Sequence, residues 1–140
     1  MLDRPHAPQS VLETVLYAPN LDAAAAFYRD IVDLKEDSRV PGRHVFLRCE
    51  ASMVLLFNPE ETAERTGGFH APPHGATGAG HVCFRAESGE LDAWAAHLVA
   101  AGAEIEADFH WPGGARSIYV RDPAGNSVEF AEAKLWGLGA

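Results

Sequence analysis

The chain has 140 residues, 47% hydrophobic and 22% charged, which is enough for one compact domain or two small modules sharing a core. A formal net charge of -9 excludes nucleic acid as the main partner, because phosphate binding needs a basic surface. No apolar run approaches bilayer-spanning length, and the opening MLDRPHAPQS lacks the basic start and apolar core of a secretion signal, so a cytoplasmic protein with no membrane partner is expected.

After a proline-containing tail, Val11 to Ala18 reads as a strand, and Asn20 is the expected N-cap of a helix. Leu21, Ala24, Ala25, Tyr28, Ile31 and Val32 fall at the spacing of its buried stripe. Lys35 to Arg39 reads as an edge strand, Pro41-Gly42 as a turn, and His44 to Arg48 and Met53 to Phe57 as two further strands. Residues 58–80, rich in Gly, Pro, Thr and His, read as a loop connector in which His70 and His74 are solvated. The order then repeats: a strand over His81 to Ala86, a helical stripe of Leu91, Trp94, Ala95, Leu98 and Val99 closed by Gly102, and a strand over Glu104 to Phe109. The stretch RSIYVRDPAGNSVEFAE, Arg116 to Glu132, supplies two last strands around a tight Asp122-Pro123-Ala124-Gly125-Asn126 turn. Cys49 and Cys83 lack metal-like spacing and are expected to be free thiols.

The two halves can be laid on each other. Leu21-Asp22 matches Leu91-Asp92 and Phe46-Leu47-Arg48 matches Tyr119-Val120-Arg121, at separations close to half the chain. The predicted fold is therefore α+β: two tandem β-α-β-β-β modules, residues 10–57 and 81–132, forming a cupped mixed sheet with helices on its outer face. Residues 58–80 connect the modules, and a tail, residues 133–140, carries Trp136, which is expected either to close over the cleft or to dock against a second subunit, its apolar surroundings favouring docking.

Alternation along the strands assigns faces. Leu12, Leu16 and Ala18, with Val82, Phe84 and Ala86, should meet the helices, leaving Glu13 and His81 at equivalent positions on the other side. Leu55 is the counterpart of Glu129, and His44 and Phe46 are the counterparts of Ser117 and Tyr119. The concave side thus collects Glu13, His44, His81, Tyr119 and Glu129. Singly, each has an ordinary role as a solvated strand-end charge, a hydrogen-bonded histidine or an ion-pair partner. Jointly, one imidazole and two carboxylates at matched positions favour a divalent metal site (Zn, Mn, Ni, Co or Fe) with Glu13, His81 and Glu129 as ligands. Tyr119 is a candidate acid/base beside it, His44 a base or further ligand, and Arg48 an anchor for an anionic substrate.

Glu13 to Asp30 (ETVLYAPNLD-x4-FYRD), Gly80 to Phe84 (GHVCF) and Tyr119 to Glu129 (YVRDPAGNSVE) together resemble the vicinal oxygen chelate superfamily over nearly the whole chain. That group includes glyoxalase I, fosfomycin-resistance proteins, extradiol dioxygenases, methylmalonyl-CoA epimerase and bleomycin-binding proteins. The resemblance implies a homodimer whose metal chelates two neighbouring oxygens of a small substrate, and it carries the ligand role onto Glu13, His81 and Glu129. Leu55 stands where glyoxalase I has a fourth ligand, so the set is closer to the fosfomycin-type arrangement, in which Ser117 and Tyr119 match substrate-contacting polar residues. Phe109 and Leu138 stand near the positions of that group's phosphonate-binding Lys and Arg. The expected function is a metal-dependent lyase, isomerase or detoxifying transferase of a small oxygen-rich molecule, with Glu13 or Glu129 moving a proton and His44, Ser117 and Arg48 binding substrate. The alternatives are a non-catalytic toxin- or antibiotic-binding protein and, lower in order because its pattern wants two histidines, an Fe(II) extradiol dioxygenase.

Overall fold

A computed structural model describes residues 4–64 and 70–139. The first module runs β1 (Glu13–Tyr17), α1 (Leu21–Ala26), a π turn (Phe27–Ile31), β2 (Lys35–Val40), β3 (His44–Cys49) and β4 (Ser52–Phe57). The second runs β5 (His81–Ala86), α3 (Leu91–Ala100), β6 (Ala107–His110), β7 (Arg116–Arg121) and β8 (Ser127–Glu132), followed by a 3-10 turn (Ala133–Trp136). Between them lies a short helix, α2 (Pro59–Thr62), where the sequence suggested only loop. Asn58 caps it by accepting from the Glu60 N–H, and proline at its first turn has no N–H to leave unpaired.

Each module forms a four-stranded mixed sheet, in the orders β1-β4-β3-β2 and β5-β8-β7-β6. The first strand of each pairs parallel with the last, and the other pairings are antiparallel. The registers confirm the duplication residue by residue. Val15 faces Leu55, which faces Phe46, while Cys83 faces Glu129, which faces Tyr119. Leu55 and Glu129 are therefore equivalent, as are Glu13 and His81.

Asn20 caps α1, its side chain accepting from Ala23 N at 3.1 Å. The helix then widens, with Val32 N bonding Phe27 O in a π turn that the periodic stripe did not foresee. β1 starts at Glu13, so Leu12, expected on the helix-facing side, lies outside the strand and is 70% exposed. One core joins both modules: Leu16, Val45, Leu47, Val54 and Leu56 from one sheet, Val82, Phe84, Ile118, Val120, Val128 and Phe130 from the other, and the inner faces of α1 and α3. The helices meet in it, with His97 Nε2 at 2.7 Å from the Ile31 carbonyl and the Tyr28 ring 6.2 Å from Phe84. Leu55, Phe57, Ser117 and Glu129 are also buried, but they belong to the opposite faces of the sheets and not to this core.

Candidate functional site

Those opposite faces carry the chemistry, and the two modules use them differently. On the second, β5 and β8 run parallel, so that His81 at the start of one reaches across to Glu129 in the middle of the other. His81 Nε2 stands 3.2 Å from Glu129 Oε1. The other ring nitrogen, Nδ1, is 3.1 Å from the Ser127 carbonyl, which can only accept, so Nδ1 carries a proton and donates it there. Nε2 faces the carboxylate oxygen at hydrogen-bond distance, an arrangement that serves either an N–H donated to Glu129 or two ligand atoms placed side by side for a metal ion.

Glu129 is buried, and its second oxygen is fixed from the sheet: Ser117 Oγ donates to Oε2 at 2.6 Å, and Trp111 Nε1 donates to Ser117 Oγ at 2.8 Å. Because the indole can only donate, the serine hydroxyl must turn its own proton to the carboxylate. Ser117, expected to touch substrate, is fully buried and spends its hydroxyl on Glu129. Trp111, beyond the end of β6, was not foreseen. A tryptophan after a strand carries no signal for which hydroxyl it will meet. Tyr119 lies beside Glu129, its ring stacked at 6.3 Å from His81 and 5.8 Å from Phe109. Loss of water and the neighbouring Glu129 carboxylate raise the Tyr119 phenol, so it stays a proton donor. The same two causes push the Cys83 thiol, which faces Glu129 in register, up to about 12, and it is no thiolate at neutral pH.

The first module presents a cavity of about 710 Å³, lined by Glu13, Tyr17, His44, Phe46, Leu55 and Phe57, and roofed by connector residues that include His74. His74, expected to be solvated, accepts from or donates to Tyr17 Oη at 2.7 Å and packs edge-on to Phe57. His44 stacks on Phe46 with centroids 4.0 Å apart, and its Nδ1 takes an N–H of Arg43 at 2.7 Å. Burial first, then the Arg43 charge, lowers the His44 pKa from its ordinary 6.5, which leaves the ring neutral at pH 7. Arg48 is exposed and ion-paired to Asp37 at 2.8 Å, away from this cavity's lining.

Glu13 thus lies with His44 in one module, and His81 with Glu129, Ser117 and Tyr119 in the other. Among the described residues of a single chain, no three His, Cys, Asp or Glu side chains gather in a group able to hold a metal ion.

Residues 10–130 match the Glyoxalase/Bleomycin resistance protein/Dioxygenase superfamily. The chain belongs to this superfamily. A crystal structure of lactoylglutathione lyase from Agrobacterium tumefaciens is 46% identical, covers 95% of this chain and 100% of its own, and superposes with a TM-score of 0.92. Two more distant structures share the fold. A glyoxalase/bleomycin resistance protein/dioxygenase from Nocardioides is 24% identical over 94% of this chain and 85% of its own, with a TM-score of 0.71. TioX from Micromonospora sp. ML1 is 23% identical over 88% and 98%, with a TM-score of 0.67. No curated protein matches the chain.

Proposed function

We propose that this superfamily member is a metal-dependent lyase or isomerase of a small molecule bearing neighbouring oxygens, with His81 and Glu129 as two of the metal's ligands. The observation that carries the reading is the 3.2 Å contact of His81 Nε2 with Glu129 Oε1, each side chain held in place by its other polar atom. The donor set fits a borderline divalent ion such as Zn, Mn, Ni, Co or Fe(II). Such an ion supplies Lewis acidity toward substrate oxygens. The protein's own part is proton handling. Glu129 takes the proton from a carbon next to a carbonyl and returns it one carbon along, and Tyr119, kept protonated, donates a hydrogen bond to the oxygen where charge develops.

Glu13 is the third ligand, and a second copy of the chain brings it. The open faces lie on the sides of the sheets away from the shared core, so Glu13 meets His81 and Glu129 across a twofold interface that sets each first module against the partner's second. The name of the 46% identical relative directs the first assay to lactoylglutathione, followed through its thioester absorbance.

Elemental analysis together with this assay tests the reading. About one divalent ion per chain is expected, lost together with turnover in His81→Ala and on chelation. A Glu129→Gln protein that keeps both metal and rate overturns it. A second reading, a cytoplasmic protein that sequesters a toxin or antibiotic without transforming it, is favoured by the aromatic lining of the first module's cavity. Protein purified without stoichiometric metal that still binds ligands selects that reading.

A further inference from the structure

We infer that Arg85 makes the reactive face of the second module selective for a ligand that ends in a carboxylate, held roughly 10 Å from His81 and Glu129 at strand spacing. That this ligand is the substrate rests on the function proposed above. The anchoring of an acid by Arg85 does not.

Strand alternation sets Arg85 on the same face as His81 and Cys83, and the register with β8 places it opposite Ala131, one step along from the pairing of Cys83 with Glu129. Across the sheet this row continues through Ser117, whose hydroxyl is committed to Glu129, to Phe109. None of these offers a guanidinium a free acceptor. Among the described residues Arg85 has no hydrogen-bond or ion-pair partner, and it is exposed. That is unusual in a chain whose acids outnumber its Lys and Arg by 20 to 11: Arg29, Arg39, Arg48, Arg116 and Arg121 all pair with carboxylates. Arg121, on the same face of β7, spends its donors on Glu106 and the Gly125 carbonyl. The guanidinium of Arg85 alone on this face keeps its donors for a ligand.

The equivalent position in the first module is Tyr17, which is taken up by its 2.7 Å bond with His74, and Phe57 stands there where Ala131 stands here. The second module thus sets a methyl group, not a ring, beside its free cation. A cavity of about 80 Å³ opens at this end of the sheet, bordered by Arg85, Ser88, Lys134 and Gly139, with room for a carboxylate and little more. The tail closes on it so tightly that a Cβ on Gly139 would stand 3.1 Å from Arg85 Nη2. Lys134 is paired with Glu132 at 3.8 Å, and Glu87 also borders the cavity, so Arg85 supplies the attraction while Glu87 opposes a second negative charge. That balance suits a singly charged carboxylate over a phosphate. Arg85 lies four residues along β5 from His81, about 13 Å, with Glu129 about midway. A ligand with its acid at Arg85 lays its other end on His81 and Glu129. Turned round, its acid would meet the Glu129 carboxylate.

Isothermal titration of the metal-loaded full chain tests this with suberic monohydroxamate and octanohydroxamate. Both present neighbouring oxygens to a metal, and only the first ends in a carboxylate. It is expected to bind about tenfold more tightly than the second. Arg85→Gln should abolish that preference and leave octanohydroxamate unchanged, and Arg85→Lys should restore part of it. Succinic monohydroxamate, too short to span the gap, should be indifferent to both substitutions. Equal affinity for the two long probes, or an Arg85→Gln protein that still prefers the acid, overturns the inference. So does an Arg85→Gln protein that dissociates into monomers, which would assign the arginine to a contact between subunits. If the protein takes up no metal and neither hydroxamate binds, the function proposed above fails, and octanoate against octanol decides the anchor alone: a preference for octanoate that Arg85→Gln loses upholds it, and no preference overturns it. Metal with turnover but no acid preference upholds the function and rejects the anchor.

Discussion

Asp122 accepts four hydrogen bonds: Tyr28 Oη at 2.7 Å, Asn126 Nδ2 at 2.9 Å, and the backbone N–H groups of Ala124 and Asn126, both at 2.9 Å. Asn126 continues the chain of contacts, donating to the Tyr17 carbonyl at 3.2 Å and accepting from Gly80 N at 2.7 Å. The sequence identified this pair as turn residues, which they are. It did not reveal that their side chains join the two modules, because the partners, the Tyr28 hydroxyl and Gly80 N–H as donors and the Tyr17 carbonyl as acceptor, are all distant along the chain. The approach is close at Gly80, where a Cβ would lie 3.1 Å from Asn126 Oδ1 and would press on that side chain. Burial, and then Asp122 beside it, holds the Tyr28 phenol far above its ordinary range, so the hydroxyl remains a donor at any working pH. Asp122→Ala strips the acceptor from three buried donors and one part-buried donor and should cost about 3 kcal/mol or more in urea unfolding. A loss below about 1 kcal/mol would show that water takes the carboxylate's place.

At the scale of elements, period-two alternation made most of the sheet legible. The equivalences of Leu55 with Glu129 and Phe46 with Tyr119 came from the sequence and are reproduced in the strand registers. Strand ends were less legible, since they depend on where a partner's hydrogen bonds stop. β6 begins at Ala107 although a strand was expected from Glu104: contact with β7 opens with the Glu106 N–H donating to the Tyr119 carbonyl at 2.8 Å, and the paired register starts one residue later. α1 shows why its sequence is nearly all alanine. Ala24 and Ala25 have no exposed surface where the helix presses on the sheet, so there is no room for a longer side chain. Ala25→Leu should therefore lower stability by about 1–3 kcal/mol through overpacking, despite leucine's good helix propensity. A melt showing equal or higher stability would mean that the helix can ride outward on its π turn.

For the whole molecule, the sequence named plausible site residues and did not say which of them meet. That depends on how the modules pack, and the packing is set by the non-local burial of α1 and α3 between residues of both sheets. Local alternation cannot encode it. His81 with Glu129 was recoverable because one parallel strand pair contains both, whereas Glu13 belongs to a different sheet. Trp111 and His74 left no periodic trace, since both lie in loops. The shared site proposed above makes a test that single-chain sites fail. Glu13→Gln and Glu129→Gln proteins, each inactive alone, should regain activity when unfolded and refolded together. Half of the dimers are then mixed and each mixed dimer carries one intact site, so about a quarter of the wild-type rate is expected. No recovery, with mixed dimers demonstrated by tagged capture, places the whole site within one chain.

Leucine at position 55 and glutamate at position 129 make the two copies of one strand arrangement unlike at the same place. On the proposed function, substitutions around Leu55 would alter what is admitted while Glu129 keeps its imidazole neighbour and its supports. A molecule arranged this way can change its diet without relearning its chemistry.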